Sequence, residues 1–226
     1  YVRHWTYRDQ QGQVIGHVVR YQGADSKQVI PFFKFIEQKC KAGAAPTPRP
    51  LYGLHNLAKA PTDTPVLLPE GEKATDAAQR MVGRSYVCMT WPGGSKAARK
   101  ADWSPMSGRD VVIWPDADEP GRKAAQVVAQ QCRAAGARSV VVVDPPSDVA
   151  DGWDLADAET GGWTEDQVLE WVEQHGQQGS VAQYQKDKDG IPQGFSLSDK
   201  GVYRVEEDKD GNVENVWTCS PLKVTA

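Results

Sequence analysis

Two short apolar runs in this chain each end in acidic residues, and this feature constrains the fold more than any other. The first run covers residues 66–69 and leads into Glu70, and the second covers residues 111–114 and leads into Asp116 and Asp118. Apolar runs of four or five residues between turn residues are typical of buried strands. Because parallel α/β folds place their chemistry where the strands end, we expect these acids to converge on a metal ion.

The chain around these runs alternates between strand and helix patterns. We predict strands at residues 65–69, 85–90, 110–114 and 139–144, helices at residues 72–82 and 121–135, and a short basic helix that ends near residue 100. Regular alternation of this kind indicates an α/β fold, in which a parallel sheet is covered by helices on both faces.

The segment before this region has β character. Its hydropathy alternates over residues 2–21 around a central turn, which predicts a β-hairpin that pairs residues 5–8 with residues 14–20. The rest of the segment is predicted to contain a strand and a short helix at residues 29–37, a linker at 42–50 and a short helix within 51–60.

The segment after the alternating region is first polar and then rich in β patterns. Residues 144–162 are predicted to form an acidic loop, and Thr164 with Gln167 forms a capping box that starts a helix to about residue 175. A second hairpin is predicted to pair residues 202–206 with residues 213–219. We therefore divide the chain into an N-terminal hairpin and linker segment (1–60), an α/β domain (61–176), a linker (177–194) and the hairpin that starts a second domain (195–226).

Composition narrows the function classes. The chain has 226 residues, with 26 basic and 30 acidic side chains and a net charge of −4. That balance argues against a mainly electrostatic nucleic-acid clamp, although it allows a local basic face. No apolar run approaches the ~18 residues of a membrane span, and no signal-peptide pattern is present, so we expect neither membrane insertion nor export.

The cysteines and the chain ends add two expectations. The four cysteines are widely separated and form no Cys-x-x-Cys pair, which disfavours a zinc site and is typical of a reducing cytoplasm. The chain begins at Tyr1 and ends after Ala226, so we expect a piece of a longer protein.

The acidic motifs resemble those of the toprim domain, which is shared by bacterial replicative primases, topoisomerases and some nucleases. The resemblance covers residues 65–157 and rests on Glu70-Gly71 after a hydrophobic strand and on Asp116-Ala117-Asp118 followed by Gly121. It implies that Glu70 acts as general acid/base and that Asp116 and Asp118 hold Mg²⁺ (or Mn²⁺). Hard cations of this kind take carboxylate oxygens and keep several waters.

The resemblance also implies a later acidic element, and it is incomplete at one position. Asp154 and Asp157 are the candidates for that element, with Asp148 and Asp151 as alternatives. Replicative primases carry another acid four residues after the motif glutamate, where this chain has Ala74. Asp76 does not replace it directly, because two residues turn a helix by about 200°.

Four basic residues are candidates for contacts with phosphate or nucleic acid: Lys73, Lys96, Arg122 and Lys123. Lys73 lies near the start of the first predicted helix. Lys96 follows two glycines at a helix start, which suits an anion, although the full phosphate-loop spacing is missing. The alternative for all four is an ordinary solvated surface.

The flanking segments resemble parts of prophage and plasmid primase–helicase proteins. The tail from residue 194 is similar to the start of a helicase-associated domain, and the front is similar to the segment that precedes toprim in the same proteins. The resemblance implies a mobile-element DNA primase or primase–helicase in DNA replication, a nucleotidyltransferase that binds single-stranded DNA, nucleotides and a helicase module. The alternatives are a toprim-class metal-dependent nuclease and a non-catalytic module that docks nucleic acid or a helicase.

Overall fold

The computed structural model describes residues 2–23, 26–36, 39–178, 195–198, 201–207 and 213–219. The chain divides into two compact units, one formed within residues 1–179 and the other within residues 180–226. The domain limits inferred above stay a prediction.

The first unit begins with a three-stranded antiparallel sheet in the order β1-β2-β3. Its strands are β1 (Val2–Arg8), β2 (Val14–Gln22) and β3 (Lys27–Phe32). The predicted hairpin is present, because the Asp9 carboxylate accepts hydrogen bonds from the amides of Gln11 and Gln13 and so closes the turn. One face of this sheet buries Trp5, Tyr7 and Val18.

A small hairpin follows, in which β4 (Lys34–Ile36) pairs with β5 (Lys39–Lys41). The short helix predicted within residues 29–37 is therefore wrong over the described part of that range. The backbone finds its hydrogen-bond partners across the hairpin, in a segment too short for a stable isolated helix. The predicted short helix further on is present as α1 (Leu54–Leu57).

A five-stranded sheet in the order β10-β9-β8-β6-β7 forms the centre of the first unit. Its strands are β6 (Val66–Pro69), β7 (Val87–Cys88), β8 (Asp110–Trp114), β9 (Ser139–Val143) and β10 (Gly176–Gln178). The first four of these are parallel to one another, and β10 is antiparallel to β9. The predicted α/β class is confirmed, although β7 is shorter than predicted.

Helices cover both faces of this sheet. One face carries α2 (Gly71–Val82), α4 (Leu155–Thr160) and α5 (Glu165–His175), and the other carries α3 (Glu119–Ala134) with short 3₁₀ helices at Ser95–Lys100 and Ser104–Met106. Successive strand residues point to opposite faces, so Val66 and Leu68 enter one core while Leu67 enters the other. Among the described residues, none of the helices combines the length and apolar character needed to cross a bilayer.

Helix α4 lies inside the segment that we predicted as an acidic loop, so that prediction is wrong at residues 155–160. Asp154 caps the helix, because its side chain accepts hydrogen bonds from the amides of Ala156 and Asp157. The Asp157 side chain in turn accepts from the Asp154 amide, which completes a capping box. The capping box predicted at Thr164 is confirmed and starts α5.

The second unit contains a three-stranded antiparallel sheet in the order β11-β12-β13. Its strands are β11 (Phe195–Ser198), β12 (Gly201–Glu207) and β13 (Val213–Cys219). The two strands predicted for this tail pair with each other, and the turn predicted between them lies outside the described residues.

Candidate active site

Glu70 stands where β6 ends and α2 begins, and it is the N-cap residue of that helix. Gly71 follows with φ +80, a backbone conformation that favours glycine and lets the chain turn sharply from strand to helix. The Gly71 amide donates a 3.0 Å hydrogen bond to the Thr90 hydroxyl, and the Thr75 hydroxyl donates 2.9 Å to the Gly71 carbonyl. Glu70 is thereby held at the rim of the sheet.

The two oxygens of the Glu70 carboxylate have different surroundings. Burial raises its pKa, a hydrogen bond from the Ser95 amide opposes that shift, and the nearby Asp118 adds to it. The net pKa lies above the ordinary value. Oxygen Oε2 is buried without a hydrogen-bond partner among the described residues. A carboxylate of this kind is suited to exchanging a proton or to meeting a cation.

The loop that presents the Ser95 amide is fixed from two sides. The Trp91 indole donates a 2.9 Å hydrogen bond to the Gly94 carbonyl, and the Arg49 guanidinium donates 3.2 Å to the Pro92 carbonyl. The sequence analysis named this loop, with Lys96, as a candidate anion site and kept an ordinary solvated surface as the alternative. In the structure the Ser95 amide of this loop binds the carboxylate of Glu70.

Asp116 and Asp118 lie in the turn that leads from β8 into α3. The Asp118 side chain caps α3 by accepting a 2.6 Å hydrogen bond from the Gly121 amide, and the Asp118 amide donates 2.8 Å to the Asp116 carbonyl. A Cβ atom at Gly121 would lie 2.5 Å from that carbonyl oxygen, so this tight turn requires glycine.

Asp116 has the most strongly shifted carboxyl group of the site. Burial, followed by the negative charges of Glu70, Asp154 and Asp118, raises its pKa to about 8, and Lys73 opposes the shift. The acids predicted from the two motifs therefore lie close enough to interact electrostatically. Their surplus negative charge favours a bound cation.

The later acidic element, formed by Asp154 and Asp157, pairs with a lysine. The Lys73 ammonium lies 3.2 Å from Asp154 Oδ2 and 3.4 Å from Asp157 Oδ1. The ammonium group of Lys73 is therefore held by two carboxylates, while about a third of its side chain stays exposed.

A cavity of about 450 Å³ brings much of this site together. Its acidic wall contains Glu70, Asp116 and Asp154, with Lys73 among them. Residues that the sequence analysis missed line the opposite wall, which is basic at Arg20, Lys27 and Arg49 and apolar at Val18, Val29 and Phe33. The alternation of β2 places Val18 and Arg20 on one face, which is the signal that points to this wall.

The structure does not place every predicted residue at this cavity. Arg122 and Lys123 are exposed on α3, pair with Glu119 at 3.6 and 3.2 Å, and line a different pocket. Lys96 is exposed, and so are the alternative acids Asp148 and Asp151.

The donor set fits a divalent ion held by few protein ligands. Among the described residues, no three Asp, Glu, His or Cys side chains stand close enough to hold an ion by themselves. The unpartnered Glu70 Oε2 and the raised pKa of Asp116 nevertheless mark a site with surplus negative charge. Mg²⁺ commonly takes one or two carboxylates and completes its shell with water and phosphate oxygens. Glu70 and Asp116 suit that mode of binding.

In its fold this chain is similar to the catalytic domains of DNA primases, as its sequence motifs predict. The primase fragment of the bacteriophage T7 primase-helicase protein matches with a TM-score of 0.54 and 22% identity, over 76% of this chain and 62% of that one. A second match is the structure of T7 lagging-strand DNA polymerase with primase domains of two gp4 subunits, an RNA/DNA hybrid and dTTP. Its TM-score is 0.54 and its sequence identity 20%, over 77% of this chain and 78% of that one.

A bacterial structure gives the same result. A DNA primase domain from Pseudomonas aeruginosa matches with a TM-score of 0.52 and 19% identity, over 77% of this chain and 51% of that one. The chain thus spans about half the length of that bacterial domain. No family model matches the sequence, and no curated protein matches it.

Proposed function

We propose that this chain is the nucleotidyl-transferring core of a Mg²⁺-dependent DNA primase, or primase–helicase, of a mobile genetic element, acting in the cytoplasm. The observation that carries the proposal is the placement of Glu70 and Asp116. These acids follow the paired parallel strands β6 and β8 and line one cavity whose opposite wall is basic and apolar.

The cavity suits a nucleotide in size and chemistry. Its volume of about 450 Å³ lies within the range of small-molecule sites, which is roughly 300–1,000 Å³. Lys27 and Arg49 supply positive charge for phosphates, and Val29 and Phe33 supply an apolar surface for a base or sugar. The T7 primase domains that share the fold were captured with an RNA/DNA hybrid and dTTP. We infer the same substrate class here, with single-stranded DNA as template and a helicase module as partner.

In this proposal Glu70 is the proton acceptor. A 3′-hydroxyl oxygen attacks the α-phosphorus of the incoming nucleotide, the bond to the β-phosphate oxygen breaks, and pyrophosphate leaves. Glu70 Oε2 takes the hydroxyl proton, which contributes about 10²–10⁴-fold to the rate. Asp116 would hold a divalent ion, with Glu70 beside it directly or through a water, and that ion would stabilise the negative charge that develops on the phosphate. Lys27 and Arg49 orient the triphosphate.

A primer-synthesis assay with the full-length protein, single-stranded DNA and labelled nucleotides tests the proposal. Glu70→Gln and Asp116→Asn are expected to abolish primer formation, whereas Asp63→Asn, in an exposed turn, is expected to retain it. Equal primer yields from the wild type and these three variants would overturn the assignment of these residues. Nicking of plasmid DNA without primer formation would indicate the nuclease alternative.

The non-catalytic alternative draws on one observation, since no three candidate ligands cluster among the described residues. In that case the fold would only dock nucleic acid or a helicase. Calorimetry with Mg²⁺ and Mn²⁺ separates the two possibilities, because the proposed enzyme binds the ion and a docking module does not.

A further inference from the structure

Lys73 lies in the first turn of α2, three residues after Glu70, and its side chain is about one-third exposed (34%). Its ammonium group faces the Asp154–Asp157 turn that caps α4, at 3.2 Å from Asp154 and 3.4 Å from Asp157. It also lines the cavity that contains Glu70 and Asp116. Lys73 therefore lies inside the acidic site, between Glu70 and the pair formed by Asp154 and Asp157.

The acids of that turn already have partners for each carboxylate oxygen. Asp154 Oδ1 accepts the amides of Ala156 and Asp157, at 2.7 and 3.1 Å, and Asp154 Oδ2 meets Lys73. Asp157 Oδ2 accepts the Asp154 amide at 3.1 Å, and Asp157 Oδ1 meets Lys73. This element is satisfied without a metal ion, in contrast to the buried Glu70 Oε2.

We infer that Lys73 serves as a fixed cation that takes the place of one divalent ion, so that the site binds a single ion near Glu70 and Asp116. The inference rests on the metal-dependent function proposed above. A lysine ammonium is a compact point charge, and it balances carboxylates as a metal ion does without requiring a coordination shell. Asp154 and Asp157 are then positioning residues for Lys73 rather than metal ligands.

Counting bound Mn²⁺ by electron paramagnetic resonance tests this inference without any measurement of activity. The wild-type chain is expected to bind one Mn²⁺. Lys73→Met removes the charge and keeps most of the length, and it is expected to bind two ions, because the freed carboxylates accept the second. Lys73→Arg keeps the charge and is expected to bind one, as is the exposed control Lys59→Met.

The wild-type count tests the inference even if Lys73→Met does not fold. Two ions in the wild type, or a single ion in a folded Lys73→Met protein, would overturn the role of Lys73 and leave the proposed function intact. No ion in the wild type would overturn the proposed metal-dependent function itself.

Thermal unfolding provides a second readout. Without metal, Lys73→Met is expected to unfold at a lower temperature than Lys59→Met, because Asp154 and Asp157 then face each other unneutralised. Saturating Mn²⁺ is expected to restore most of that loss. A loss that Mn²⁺ leaves unchanged would show that Lys73 forms only a structural ion pair.

Discussion

The Tyr7 hydroxyl donates a 2.7 Å hydrogen bond to Oε1 of Glu72, and this bond joins the N-terminal sheet to the helix that starts beside Glu70. Two further bonds reinforce the junction, since the Trp5 indole and the Tyr52 hydroxyl both donate to Asp76, at 2.7 and 2.8 Å. The acids of α2 other than the motif glutamate thus hold the basic and apolar wall of the cavity against its acidic wall.

Tyr7→Phe is expected to destabilise the protein by about 1–3 kcal/mol, because it leaves a half-buried carboxylate without its donor. Burial already raises the pKa of Glu72, and the Tyr7 hydrogen bond opposes that shift, so the variant raises this pKa further. When the pKa of an acid is higher in the folded than in the unfolded chain, the protein loses stability as the pH rises above the unfolded-state pKa. The loss in the free energy of unfolding, measured with urea, should therefore be larger at pH 8 than at pH 4. A loss equal to that of the exposed control Tyr21→Phe would contradict this account.

Ala74→Asp introduces the acid that the toprim resemblance implies at this position, and it is expected to destabilise this protein. Ala74 is only 1% exposed and packs in the core between α2 and the sheet, so the new carboxylate would be buried without a partner. The free energy of unfolding, measured with denaturant, is expected to fall by about 3 kcal/mol or more. The exposed substitution Gln79→Asp in the same helix should cost far less. A gain in Mn²⁺ stoichiometry without loss of stability would show that Ala74 faces the metal site.

Gly121→Ala is expected to disturb the turn that carries Asp116 and Asp118. The added methyl group would lie 2.5 Å from the Asp116 carbonyl oxygen and 2.9 Å from Asp118 Oδ1, so the backbone must shift. We expect a loss of about 1–3 kcal/mol in stability. We also expect weaker Mn²⁺ binding, since a change of about 1.4 kcal/mol corresponds to tenfold. Gln130→Ala, on the exposed face of α3, should leave both properties unchanged, and unaltered Mn²⁺ affinity in a folded Gly121→Ala protein would argue against a metal site at Asp116.

Asp116→Asn is expected to stabilise the metal-free protein in a pH-dependent way. The pKa of Asp116 is about 8 in the folded chain against an ordinary value of 3.8, so ionisation costs folding free energy. That cost is absent below pH 3.8, grows between the two values and is complete above pH 8. Thermal unfolding in chelator should therefore show a gain for Asp116→Asn at pH 9 that fades toward pH 4. A constant difference across this range would contradict the shifted pKa.

The acid-tipped strands were predictable because their signals are local. Runs such as residues 66–69, the turn residues that end them and the capping residue Thr164 all act within a few positions of one another. The α/β alternation then predicts a parallel sheet covered by helices on both faces, but it does not fix the order of the strands. Polar β10 escaped prediction because Gly176–Gln178 has no apolar pattern and gains its structure by pairing with β9.

The contacts that shape the site were not predictable, because they join distant parts of the chain. Tyr7 and Glu72 are 65 residues apart, and Lys73 and Asp157 are 84 apart. Periodicity shows which residues face a core, but it does not show which acid a lysine will meet across two helices. Helix α4 was missed for a different reason, because its local capping box lies in a segment of acidic and turn-forming residues that has the composition of a loop.

A crystal structure soaked with Mn²⁺, read from its anomalous signal, tests the central claim most directly. The account predicts one ion in the cavity, with an Asp116 oxygen about 2.0–2.6 Å away, Glu70 in direct contact or one water further, and Lys73 still paired with Asp154. No ion between Glu70 and Asp116 at saturating Mn²⁺, or an ion bound only elsewhere on the chain, would contradict it.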